Sequence, residues 1–76
     1  MKVKIIKENE NYPHSWYNEL KPFKMPSGKM SSGIKSKVGE IFEVTNEGDH
    51  YKTVKKVFGG RTRGLIDKED CEVIES

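Results

Sequence analysis

Two histidines, one cysteine and a pair of adjacent acids are the residues of this 76-residue chain that could do chemistry. Catalysis by any of them needs a second group that orients or activates the first. His14 stands beside Pro13 and His50 follows a turn, both in wet contexts with no evident carboxylate or thiol to orient them, so both read as surface histidines. Cys71 has no second cysteine, and no His or Cys follows it at ligand spacing, which excludes an internal disulfide. It reads as a buried, inert thiol of a cytosolic protein. Glu69 and Asp70 fall on a short helical turn, where acids favour the local dipole. The run Pro26 to Gly33, PSGKMSSG, has a Gly-Lys step but not the spacing of a phosphate-binding loop, and no strand feeds into it. These residues predict no enzyme, no cofactor and no metal.

The elements that must position them are short. Lys2 to Ile6 alternates basic and apolar, with Val3 and Ile5 on one face, which predicts a half-buried strand. Glu8 to Ser15 is turn chemistry. Ser15 to Leu20, SWYNEL, is either one helical turn capped by Ser15 or an extended arm carrying Trp16 and Tyr17. Lys21–Lys37 then holds five Lys, four Ser, two Pro and two Gly with no acid. That composition buries too little apolar surface to order itself and predicts a long mobile basic loop.

From Val38 the pattern tightens. Val38 to Thr45 reads as a strand with Phe42 and Val44 inward, and Asn46 to Asp49 as a turn. His50 to Phe58 reads as a second strand whose period slips near Lys55 and Lys56, the mark of a bulge. Phe58 to Arg61 predicts a tight hairpin, with Gly59 or Gly60 at positive φ. Arg61 to Ile66 is a third strand, Asp67 caps a short turn, and Cys71 to Glu75 closes the sheet. The alternation predicts a core of Phe42, Val44, Val54, Leu65 and Val73. With 33% hydrophobic residues against 34% charged, that core must be small. The whole chain, 1–76, reads as one all-β domain of five strands. Its N-terminus carries charge at every second position, which fits neither a signal peptide nor a membrane span and predicts a soluble, cytoplasmic protein.

The strand VGEIFEV after a long early loop, the GG hairpin and the ending GLIDKEDCEVI together resemble the Src homology 3-like family of small five-stranded barrels. The resemblance covers roughly Val38 to Ile74, with Val3 to Ile6 as the first strand. The run of WY, VGEIFEV, YK and RGLIDKEDCEVIE also resembles small proteins of bacteria and their phages. It implies a non-enzymatic binding module and, for a phage protein, an accessory factor acting on a host protein. In peptide-binding members of the family, aromatics on the early loop and sheet form a groove for polyproline helices. Tyr12, Trp16, Tyr17 and Tyr51 fall on the matching parts of this chain and are the candidate protein-binding residues. The chain departs from that pattern. It has no Ala-Leu-Tyr-Asp-Tyr run, Asp67 stands where proline follows the Gly-Leu-Ile motif, and Glu69-Asp70 replaces Asn-Tyr. The resemblance therefore carries the fold further than it carries the polyproline site.

Charge suggests a second partner class. The net charge is only +2. Yet residues 20–37 hold no acid, and neither do residues 50–66, which carry Lys52, Lys55, Lys56, Arg61 and Arg63, while the tail from Asp67 is acidic. Two acid-free blocks near one end of a barrel would make a footprint for a phosphate backbone. Phe23 and Phe58 lie in or beside them, placed to stack on a single strand. The reading is a protein-binding domain, with a nucleic-acid binder as the alternative and a structural part of a larger assembly as the third class. Salt separates the first two, because phosphate binding weakens steeply as salt rises.

Overall fold

The computed structural model describes residues 1–57 and 60–76. Five strands form one antiparallel sheet: β1 (Lys2–Ile5), β2 (Ile41–Glu47), β3 (His50–Val57), β4 (Thr62–Asp67) and β5 (Cys71–Glu75). A single 3₁₀ turn, Lys68–Asp70, joins β4 to β5, and no α-helix occurs among the described residues. None of the described helical residues is long and apolar enough to cross a membrane. The strand order is β4-β3-β2-β1-β5, so β4 and β5 are the two edges and no ladder joins them.

Alternation places the core as the first strand predicts. Val3 and Ile5 are fully buried, and Val44 and Ile66 meet them from β2 and β4. Tyr17 and Trp16 come in from the segment between β1 and β2, and Cys71 from β5. Phe42, Tyr51 and Val57 pack around this cluster half-buried. Of the five expected core residues, Val44 is buried and Phe42 packs against the core. Val54, Leu65 and Val73 point outward or lie open, at 42%, 51% and 46% exposure.

Each correction has a local cause. The register between β3 and β4 shifts between Lys52 and Lys56, the bulge expected there. It brings Thr53 inside, where its hydroxyl donates to the Lys55 carbonyl and accepts the Gly64 amide at 2.7 and 2.8 Å. In β4 the inward pair is Gly64 and Ile66, with Leu65 on the other face. Val73 stands opposite Val3 but lies on an edge strand, with no further strand paired beyond it among the described residues.

The loops differ from expectation more than the strands do. Val38 and Gly39 form a turn, and β2 starts at Ile41. Ser15 does not cap a helix. Its amide and that of Asn18 close two successive turns on the Tyr12 and Ser15 carbonyls, at 2.9 and 3.0 Å. Asp67 makes no side-chain cap on the 3₁₀ turn. The Lys21–Lys37 loop, expected to be mobile and basic, doubles back on itself as an antiparallel ribbon held by isolated bridges. Leu20 and Ile34 exchange both backbone hydrogen bonds at 2.9 and 2.7 Å, Lys24 bridges Met30, and the Met25 amide reaches the Lys29 carbonyl at the tip. Residues 21–30 are all exposed, so this arm stands off the body. The radius of gyration is accordingly 13.6 Å, against about 11 Å for a compact chain of this length. In the expected β3–β4 hairpin Gly60 has φ +82°, while Phe58 and Gly59 lie outside the described residues.

Candidate functional site

Asn9 organises the segment that builds the site. Its side-chain oxygen accepts the amides of Asn11 and Tyr12 at 2.9 and 2.8 Å, which folds a tight turn without secondary structure. Its Nδ2 donates to the Tyr17 phenol at 3.0 Å and to Asp67 at 2.5 Å. Asn18 closes the segment from the other side, accepting the Asn9 amide at 2.7 Å and donating to the Asn9 carbonyl at 2.8 Å.

Tyr17 donates in turn to Asp70, whose other oxygen lies 3.9 Å from Lys7 Nζ. Burial pushes the Tyr17 phenol up to about 12, and the hydrogen bond to Asp70 acts in the same direction. No buried side-chain polar atom among the described residues is left without a partner. That completeness matters, because a half-satisfied buried network would destabilise so small a core.

This network holds residues 9–17 against β4 and opens a groove of about 570 Å³ between them. Tyr12 and His14 form one rim, Arg63 and Leu65 the other, and Trp16 the wall between. Trp16 is fixed in place. Its indole N–H donates to the Leu65 carbonyl at 2.9 Å, and its ring meets Tyr17 and Phe42 edge-on at 5.4 and 5.1 Å. Gly64 makes this possible, since a Cβ there would stand 2.5 Å from the indole. At one end of the groove His50 Nε2 lies 2.9 Å from Asp67. A second groove of about 480 Å³ opens on the other side of Trp16, between Ile34 and Lys37 at the arm's base and Lys56 and Val57 of β3.

The four candidate aromatics do not make one surface. Tyr12 is 67% exposed on the groove rim and Trp16, at 8%, forms the wall. Tyr17, at 1%, is a core residue whose hydroxyl is spent inside the network, so it offers no face to a partner. Tyr51 lies elsewhere, half-buried at the core's margin, with Lys68 Nζ 5.1 Å from its ring centroid. Leu65, expected in the core, is instead the apolar rim opposite Tyr12.

Of the basic candidates, Lys55, Lys56, Arg61 and Arg63 are exposed and Lys52 is half-buried. Lys56 stands directly opposite Arg63 across β3–β4, and Lys52 opposite Leu65. Among the described residues these five have no carboxylate within ion-pair distance. Of the tail's acids, Asp67 ends β4 and lines the same groove as Arg63, whereas Glu72 faces Lys4 and Glu75 faces Lys2 at 3.7 Å, on the opposite side of the sheet order. Cys71 is buried, and burial followed by the charges of Asp70 and Asp67 pushes its thiol up to about 11. It is therefore a neutral thiol at pH 7, not a ready nucleophile. No group of three His, Cys, Asp or Glu able to hold a metal occurs among the described residues.

The buried polar residues Asn9, Asn18, Thr53 and Asp70 carry no pattern in the sequence that marks them as interior. Their types signal turns and caps, and only distant partners bring them inside. Compared with family models, with curated proteins and with solved structures, the chain finds no match in any of the three.

Proposed function

We propose that this chain is a Src homology 3-like small barrel acting as a non-enzymatic protein-binding module. Its docking surface is the groove between Tyr12 and Leu65. The strand order, the long ribbon between β1 and β2 and the 3₁₀ turn before β5 support the architecture. The observation that carries the function is the groove itself. Two exposed apolar side chains flank a rigidly held tryptophan, with His14, His50 and Arg63 as polar contacts around them. A preformed apolar cleft with a few convergent polar groups is how small domains hold a peptide segment. The resemblance to small bacterial and phage proteins makes an accessory role on a host protein the natural setting.

Tyr12→Ala and Leu65→Ala test the reading, because both side chains are exposed and their loss should leave stability within about 0.5 kcal/mol. A partner isolated with the parent protein should be lost by both variants, since a partner seated in the groove would desolvate both side chains and a few such buried contacts carry most of the binding energy. Retention of that partner by both folded variants would place the docking surface elsewhere.

A further inference from the structure

Most of the arm's charges are left unanswered, as are the lysines and arginines of the β3–β4 ribbon. Lys21, Lys24, Lys29 and Lys35 lie along both of its strands, and among the described residues none has a carboxylate within ion-pair distance. Only Lys37, at the base, reaches one, Glu40 at 3.9 Å. Exposed apolar side chains alternate with these lysines: Phe23 at 46%, Met25 at 37%, Met30 at 65% and Ile34 at 49%. At its base the arm shares the second groove with the end of the β3–β4 ribbon, where Lys37 and Lys56 line one cleft. The two acid-free blocks of the sequence are thus neighbours in space. Lys56 and Arg63 form a like-charge cross-strand pair, an arrangement that destabilises a sheet by a few tenths to about 1 kcal/mol unless an anion answers it. Glu40, already paired with Lys37, is the one acid lining that cleft among the described residues, and the β5 acids Glu72 and Glu75 face Lys4 and Lys2.

We propose that the arm and the end of the β3–β4 ribbon bind duplex DNA. Lysines of the arm's two strands meet phosphates on the two walls of a groove, and Phe23, Met25 and Met30 enter it. The major groove admits a two-stranded β-ribbon, and apolar side chains there can meet thymine methyl groups. Lys56, Arg61 and Arg63 extend the phosphate contacts onto the body.

The order of residues along the arm favours DNA over the other anionic surfaces. A lipid-inserting loop gathers apolar side chains at its tip. Here the turn is Pro26, Ser27, Gly28 and then Lys29, with Gly28 at φ +88°, so insertion would drag an ammonium into hydrocarbon. A groove does form at the arm's base, with Lys21 and Lys35 in its lining, but Glu19 shares it and would repel an acidic peptide.

The test is fluorescence anisotropy of a short labelled duplex titrated with the full chain at several salt concentrations. Four to six neutralised phosphates predict an affinity that falls on the order of 10²–10³-fold between 50 and 200 mM salt. The double reversal Lys24→Glu/Lys29→Glu should lower affinity at least tenfold and reduce the salt slope by about 2. Both residues are exposed on the arm, so its melting temperature should match the parent's. Tyr12→Ala should bind the duplex like the parent, because the two sites share Arg63 but not Tyr12. Phosphatidylserine vesicles and polyglutamate should bind more weakly than the duplex at the same salt. The proposal is overturned if either binds as tightly as DNA. It is equally overturned if the parent shows no salt-dependent duplex binding, or if the double reversal changes neither affinity nor slope.

Discussion

Residues 8–19 and residues 20–37 are consecutive, polar and without a named strand, yet they take up opposite relations to the core. The first stretch puts Trp16 and Tyr17 inside, and its asparagines satisfy its own backbone and the carboxylates behind it. The second pairs with itself through backbone hydrogen bonds, and no side chain from 21 to 30 is even half-buried. A strandless segment is fixed to a domain when its side chains reach the core. Backbone pairing alone gives it a shape and leaves its surface available. The contrast matches the two proposed roles, a rigid groove built by one stretch and an exposed ribbon presented by the other.

The largest test of this contrast is truncation of one aromatic in each stretch. Trp16→Ala should cost about 3–5 kcal/mol, much of the stability of so small a domain, whereas Phe23→Ala should stay within about 0.5 kcal/mol. Urea midpoints for the two variants check this. Equal midpoints would mean that residues 8–19 are no better anchored than the arm.

Gly64→Val comes next. The new side chain would meet the Trp16 indole, and overpacking of this kind costs about 1–3 kcal/mol. Near-ultraviolet circular dichroism should show the tryptophan displaced along with a lower melting temperature. An unaltered tryptophan signal would show that β4 does not hold the ring.

Tyr17→Phe probes the polar half of the anchor, removing a donor to Asp70 and an acceptor for Asn9. The expected loss is about 1–3 kcal/mol, measured by the same urea titration. The same residue gives a pH signature. An unfolded tyrosine releases its proton near 10.0, but folded Tyr17 holds it to about 12, so this contribution is complete below pH 10 and is lost as pH rises toward 12. Cys71 acts in the same sense between about 9 and 11. Stability should therefore fall on the alkaline side, and Tyr17→Phe should flatten the upper part of that fall. An identical profile in the variant would remove Tyr17 from the account.

The smallest expected effect lies at the arm's base. Gly33 has φ +74°, and a Cβ there would collide with the Leu20 carbonyl. Gly33→Ala should open the Leu20–Ile34 pair and raise hydrogen exchange within the arm, while the global unfolding midpoint barely moves. A matching drop in global stability would show that arm and body unfold together.

Strand content was legible because alternation is a local signal. Lys2 to Ile5 shows its inward pair in the sequence itself, and the broken period at Lys55 and Lys56 marked the bulge. What alternation could not supply was phase beyond that bulge. Leu65 and Ile66 are both apolar and adjacent, and only the β3–β4 register and the fit of Trp16 over Gly64 decide which one faces in. Aromatic type likewise predicted that Tyr12, Trp16, Tyr17 and Tyr51 matter, but not which of them stay outside. Tyr17 is buried because Asn9, Asp67 and Asp70, residues 8 to 53 positions away, give its hydroxyl somewhere to go.

By itself, then, the sequence determined an all-β chain of short strands, a basic insert between the first two, and two acid-free blocks that hold ten of the fourteen basic residues. These follow from side-chain period and composition, which need no distant partner. Tertiary structure alone decided that the insert pairs into a ribbon, that Trp16 is a wall rather than a protruding anchor, and that the two basic blocks meet at one cleft. Those outcomes rest on hydrogen bonds and packing between residues far apart in the chain. Only closure of the whole fold brings such partners together.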